Sequence, residues 1–129
     1  MQTTIDATGS ASATLAWERY MNPDRWPEWA PQIMGVDYEH DRLTADTTGR
    51  VHGPLCVRID FEILDVDETE WTWTWRAWWQ QRALGLTLTH AVTARPGCSR
   101  TWLTAEGSPL LVLPYAPVAK IALMQLVKA

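Results

Sequence analysis

Val57-Arg58-Ile59-Asp60-Phe61-Glu62-Ile63, followed after the acidic run Asp65 to Glu70 by Trp71-Thr72-Trp73-Thr74-Trp75-Arg76, is the stretch that decides the fold. In each half, apolar and polar residues alternate with a period of two. That is the mark of a strand with one buried and one wet face. Ile59, Phe61 and Ile63 share one side, with Arg58, Asp60 and Glu62 on the other. Trp71, Trp73 and Trp75 likewise oppose Thr72, Thr74 and Arg76. The short acidic connection makes the two strands antiparallel neighbours, because a parallel pair needs a long crossover.

The same period extends in both directions. Upstream, Met34, Val36 and Tyr38 alternate with Gly35, Asp37 and Glu39, and a strand around 46–53 ends at Gly53-Pro54. Downstream, Leu86, Leu88, His90 and Val92 alternate with Thr87, Thr89 and Ala91. Arg95-Pro96-Gly97 then turns into a last strand, Arg100 to Glu106, that carries Leu103. A short opening strand occupies residues 2–8, giving seven strands in all. Between the first two lie a helix running to Tyr20, with Ala13, Ala16, Trp17 and Tyr20 at helical spacing, and a second short helix begun by Asn22-Pro23-Asp24. A sheet of this size twists and curls into a cup.

Ser108-Pro109 is a good helix entry, and there the period changes again. From about 115 to 128 the only polar residues are Lys120, Gln125 and Lys128, leaving Tyr115, Ala119, Ala122, Leu123 and Leu126 on the opposite side of a helix. Pro114 and Pro117 are expected to disturb or delay its first turn. An apolar helix that follows a one-sided sheet packs across the sheet's concave face. Where curvature exceeds the helix radius, side chains must fill the gap or a cavity remains, and an apolar cavity can accept apolar guests. The fold class is α+β, one domain over residues 1–129.

Composition narrows the partners. The chain has 129 residues, 47% hydrophobic, and nine Trp against three Tyr and one Phe, more indole than a small core needs. A net charge of −4 without any Lys/Arg cluster argues against nucleic acid. No run reaches the ~20 apolar residues of a bilayer span. No basic-then-apolar leader opens the chain, so a cytoplasmic location is expected. Cys56 and Cys98 lack metal-ligand neighbours and read as small hydrophobes; a bridge between them is the minority reading. The acids from Asp60 to Glu70 lack calcium-loop spacing, and His40, His52 and His90 lack a zinc pair's. No metal or cofactor is expected, and phosphate loops and hydrolase elbows are missing.

Several segments, in this order, resemble the START-like helix-grip (SRPBCC) superfamily, and within it the polyketide cyclase/dehydrase-like branch. They are Thr4-Ile5-Asp6-Ala7 ahead of a helix with Trp17, and Asp24-Arg25-Trp26-Pro27-Glu28-Trp29-Ala30-Pro31. Gly49-Arg50-Val51, Phe61-Glu62-Ile63, Trp73-Thr74-Trp75, Gly97-Cys98-Ser99-Arg100-Thr101 and Gly107-Ser108-Pro109 complete the series. The resemblance implies a curved seven-stranded sheet around a C-terminal helix and a pocket for a lipid-, polyketide- or aromatic-like molecule. Cyclases of that branch use pocket Arg, Tyr and Ser/Thr groups, and no such set maps onto this chain residue by residue.

His90 is the candidate catalytic residue, since a neutral imidazole among Leu86, Leu88 and Val92 could act on a ligand carbonyl or serve as a base. A lone histidine there is more often a core residue satisfied by backbone. Trp73 and Trp75 could wall a ligand site or simply pack against the helix, with Phe61, Leu88 and Leu103 on the same face. Trp26 and Trp29, three apart, stand at the cup's mouth, while Tyr38, Tyr115 and Leu123 complete the candidate lining. Three functions follow: a binder of a small hydrophobic molecule, a cyclase-type enzyme using the same pocket, or an interaction module with a filled core. Ile121 and Met124 fall on the polar side of the last helix, where they would suit contact with a second copy.

Overall fold

The computed structural model describes residues 1–129. Its strands are β1 (Gln2–Gly9), β2 (Gly35–Asp37), β3 (Thr47–His52), β4 (Arg58–Asp67), β5 (Thr72–Trp78), β6 (Gly85–Arg95) and β7 (Cys98–Glu106). They form one antiparallel sheet ordered β1-β7-β6-β5-β4-β3-β2. Between β1 and β2 lie α1 (Ala13–Met21) and α2 (Trp26–Trp29), joined by a 3-10 turn at Pro23–Arg25; α3 (Pro109–Leu126) closes the chain.

Alternation in β4 and β5 works as the side-chain period requires. Phe61, Ile63, Trp73 and Trp75 are buried, while Asp60 and Glu62 face out to pair with Arg50, at 2.8 Å, and with Arg82. A register shift between Ile63 and Asp65 leaves Leu64 exposed, and Trp71 leaves the strand at a φ of 58°. Trp71 instead stacks on Trp17 at 6.3 Å.

The helices are held at their ends. Ser12 accepts from the Leu15 amide at the start of α1. At its other end, where carbonyls lack intrahelical donors, Trp26 Nε1 donates to the Tyr20 carbonyl at 2.8 Å and Trp29 Nε1 to that of Arg19 at 3.1 Å. The three-residue spacing of these indoles thus fastens α2 beneath α1. The Arg19 guanidinium in turn donates to the carbonyls of Leu126 at 2.5 Å and Lys128 at 2.7 Å, capping α3. The Ala11 amide donates to the Val127 carbonyl, and a Cβ on Gly9 would collide with that same carbonyl.

Two expectations are corrected. α3 begins at the Ser108-Pro109 entry, and Pro114 and Pro117, expected to disturb or delay its first turn, lie inside it instead. Pro109 at its first position and the Ser108 hydroxyl, which accepts from the Leu110 amide, start the helix early enough to run through both. With 18 residues and a mean hydropathy of 1.4, α3 also meets the length and apolarity of a bilayer span. It lies instead against β1, β6 and β7, burying Val112, Ala119, Ala122, Leu123 and Leu126. Both cysteines are free, in line with the majority reading, but Cys56, in the turn Pro54–Cys56, is exposed where a small hydrophobe would be buried, and Cys98 is half-buried.

Candidate functional site

Sheet and α3 part company toward the β5–β6 hairpin, and a cavity of about 390 Å³ remains between them. Trp73 and Trp75 of β5, Leu88 and His90 of β6 and Leu103 of β7 form its sheet wall. Tyr115, Ala119, Ala122 and Leu123 of α3 roof it, and Trp26 and Trp29 of α2 close one end. Exposure rises outward, from 3% at His90 to 49% at Trp79 and 85% at Leu110, so the opening lies between that hairpin and the first turns of α3. No Lys or Arg lines it, and besides the Tyr115 hydroxyl, Gln32 and His90 bring the polar side chains to an otherwise aliphatic and aromatic lining.

The wall is an aromatic lattice. Trp26 contacts Phe61 at 5.6 Å, Trp75 at 5.3 Å and Trp73 at 5.9 Å between ring centroids. Trp73 stacks on Trp75 at 5.4 Å and on its cross-strand partner His90 at 4.5 Å with planes only 12° apart. Offset-stacked and edge contacts of this kind add ~0.5–1.5 kcal/mol per pair beyond area burial. The indoles therefore build a rigid side of the cavity without filling it.

The protons on His90 can be assigned from its partners. Trp75 Nε1–H donates to His90 Nε2 at 3.0 Å, so Nε2 carries a lone pair and the proton sits on Nδ1. Burial drives the imidazole down to about 3, so it is neutral at physiological pH. Nδ1 has no partner in the protein. His90 is thus a hydrogen-bond donor and a very poor base. Tyr20, edge-on to His90 at 4.9 Å, is fully engaged: its hydroxyl meets Thr101 Oγ1 at 2.5 Å, and Thr101 donates onward to the Ala91 carbonyl. Burial raises the Tyr20 hydroxyl above its ordinary value and pushes that of Tyr115 up to about 12.

Nine of the eleven candidate lining residues meet at this cavity: Trp26, Trp29, Trp73, Trp75, Leu88, His90, Leu103, Tyr115 and Leu123. Tyr38 and Phe61 do not. Tyr38 sits just past β2, its ring 5.9 Å from Phe61, and its hydroxyl bonds Thr47 Oγ1 and the Thr44 amide on the far side. Phe61 is buried behind Trp26 and Trp75, which stand between it and the cavity. Missed were Gln32, Leu84 and Leu110, which read as loop or helix-start residues, and the pair Trp78-Trp79, both of which border the opening. For Leu84, Trp78 and Trp79 the one signal was an apolar side chain beside a polar turn, and Gln32 and Leu110 carried none.

No family model and no curated protein matches the chain. Solved structures do. Ara h 8.0201 superposes with a TM-score of 0.76 at 10% identity, over 98% of this chain and 94% of that one. Protein XoxI from Bacillus cereus gives 0.77 at 13% identity, over 98% and 92%. Protein MLL2253 from Mesorhizobium loti gives 0.74 at 16%, over 98% and 90%. Likeness at such identities is one of architecture, and with the seven-stranded curved sheet closed on α3 it establishes that this chain has the START-like helix-grip fold.

Proposed function

We propose that the protein binds a small hydrophobic molecule in the cavity between sheet and α3, as a binder or carrier. The observation that carries this reading is an apolar space of about 390 Å³, open to solvent, in a core that nine tryptophans had the volume to fill. Cavities of this size suit drug-sized or smaller guests. The same space disfavours an interaction module with a solid interior.

A cyclase or dehydratase reaction would need a group that takes up a proton near neutral pH. His90, the candidate for that role, is neutral, holds its proton on Nδ1 and has Nε2 engaged by Trp75. The Tyr115 hydroxyl, at about 12, is no better placed to give one up. These features support binding over catalysis. Native mass spectrometry of freshly purified protein tests the reading: an apolar molecule should accompany the folded chain and be lost on unfolding. Protein that arrives empty and takes up no neutral two-ring hydrocarbon such as naphthalene would overturn it.

A further inference from the structure

The antiparallel register sends the connections of the sheet to two opposite ends. At one end lie residues 30–34 ahead of β2, 53–57 between β3 and β4, 79–84 between β5 and β6, and 107–108 leading into the first turn of α3. The cavity opens at this end. Residues 38–46 and 68–71 lie at the other. Charge divides the same way. Glu39, Asp41, Asp46, Glu68 and Glu70 all fall in the far connections, whereas those at the open end hold no acid and a single charge, Arg82, itself paired with Glu62. Exposed Arg58 at the start of β4 and Glu106 at the end of β7 flank them with one charge of each sign, so the open end is close to neutral.

Apolar side chains stand out from these same loops. Met34, Trp79, Leu84 and Leu110 are exposed, and Leu55 is 95% so. Leu55 is also held against its backbone preference: it and Cys56 follow one another at φ of 58° and 62°, the left-handed region that such residues rarely enter. Strain that sets an apolar side chain out in solvent, instead of hiding it, points to a contact outside the chain.

We propose that the open end docks on the surface of a neutral lipid bilayer, with Leu55, Trp79, Leu84 and Leu110 entering the boundary between headgroups and acyl chains. Separate tips around an opening do not make the continuous face that a stable protein interface requires, whereas a fluid bilayer closes round each of them. Indole rings such as that of Trp79 favour this boundary. Carboxylates would oppose entry, since burying a charge forfeits its hydration, and the acidic connections are kept at the far end. The docking goes beyond the binding reading, to which it adds a route for an apolar guest between lipid and cavity.

Flotation of the purified full chain with phosphatidylcholine vesicles tests this. Wild type should float, and so should Met124→Gln, which is changed on the outer face of α3 near its pinned end. Leu55→Asn combined with Leu110→Gln should lower vesicle partitioning at least about tenfold. Asparagine suits a left-handed backbone, so this double variant should melt no lower than wild type, which separates lost docking from lost folding. Wild type that stays with the aqueous phase, a folded double variant that floats as well as wild type, or an equal loss in Met124→Gln overturns the proposal. So does a wild-type dimer in sedimentation velocity that the double variant turns into monomer, which assigns these loops to a second copy. Uptake of naphthalene without vesicles reads the cavity alone, so docking can fail with the binding reading intact.

Discussion

His90 links the cavity's chemistry to the stability of the fold. Folded, it stays neutral down to about pH 3, whereas the unfolded chain's histidine takes up a proton near its ordinary value of 6.5. Between those values the unfolded state binds more protons, so stability is fully present above about 6.5 and declines as pH falls toward 3. From pH 7 to pH 5 this residue should remove about 2 kcal/mol. Urea unfolding of wild type and His90→Gln at both pH values checks it: the wild type should lose more, while the exposed His40 and His52, common to both proteins, cancel. That His90 points inward was legible from its parity with Leu86 and Leu88. Its proton was not, because the tautomer depends on Trp75, a partner on another strand. Phe61 and Tyr38 mark the same boundary: alternation tells which face a side chain joins, and cannot tell that Trp26 will cover Phe61 or that Tyr38 will turn to Thr47.

At the level of elements, the best-read strands were those with long, strict alternation, β4 to β7, where a slip of one residue would expose a whole apolar set. β2 shrank to three residues, Gly35–Asp37, with Met34 exposed beside it. The entry to α3 was legible at Ser108-Pro109, whereas the effect of Pro114 and Pro117 was overestimated, because packing against β1, β6 and β7 can outweigh the hydrogen bonds they remove. The far end of α3 relies on one side chain from α1. Arg19→Met should leave the carbonyls of Leu126 and Lys128 without their donor and lower stability by about 1–3 kcal/mol, read from the shift in urea midpoint at unchanged slope.

At the scale of the whole molecule, the cavity is space the fold does not need. Ala122 is buried on the roof of it, so a larger side chain there can grow into the void instead of into neighbours. Ala122→Leu should keep or slightly raise the melting temperature while weakening naphthalene binding at least tenfold, whereas an overpacked core would lose about 1–3 kcal/mol. Ile121 and Met124, each 54% exposed, and Leu113 at 57% continue along the outer side of the same helix. The two ends of that helix are unlike. Arg19 and the Ala11–Val127 bond pin its C-terminal turn, while Pro114 and Pro117 deprive the carbonyls of Leu110 and Leu113 of their usual donors directly above the opening. With fewer backbone hydrogen bonds to break, the proline-bearing turns are expected to loosen before the rest of the helix while the sheet stays at rest. On the binding reading, a guest's residence time is expected to follow those turns and thermal stability the pinned end, so Pro114→Ala should lengthen the stay of bound naphthalene with little change in melting temperature.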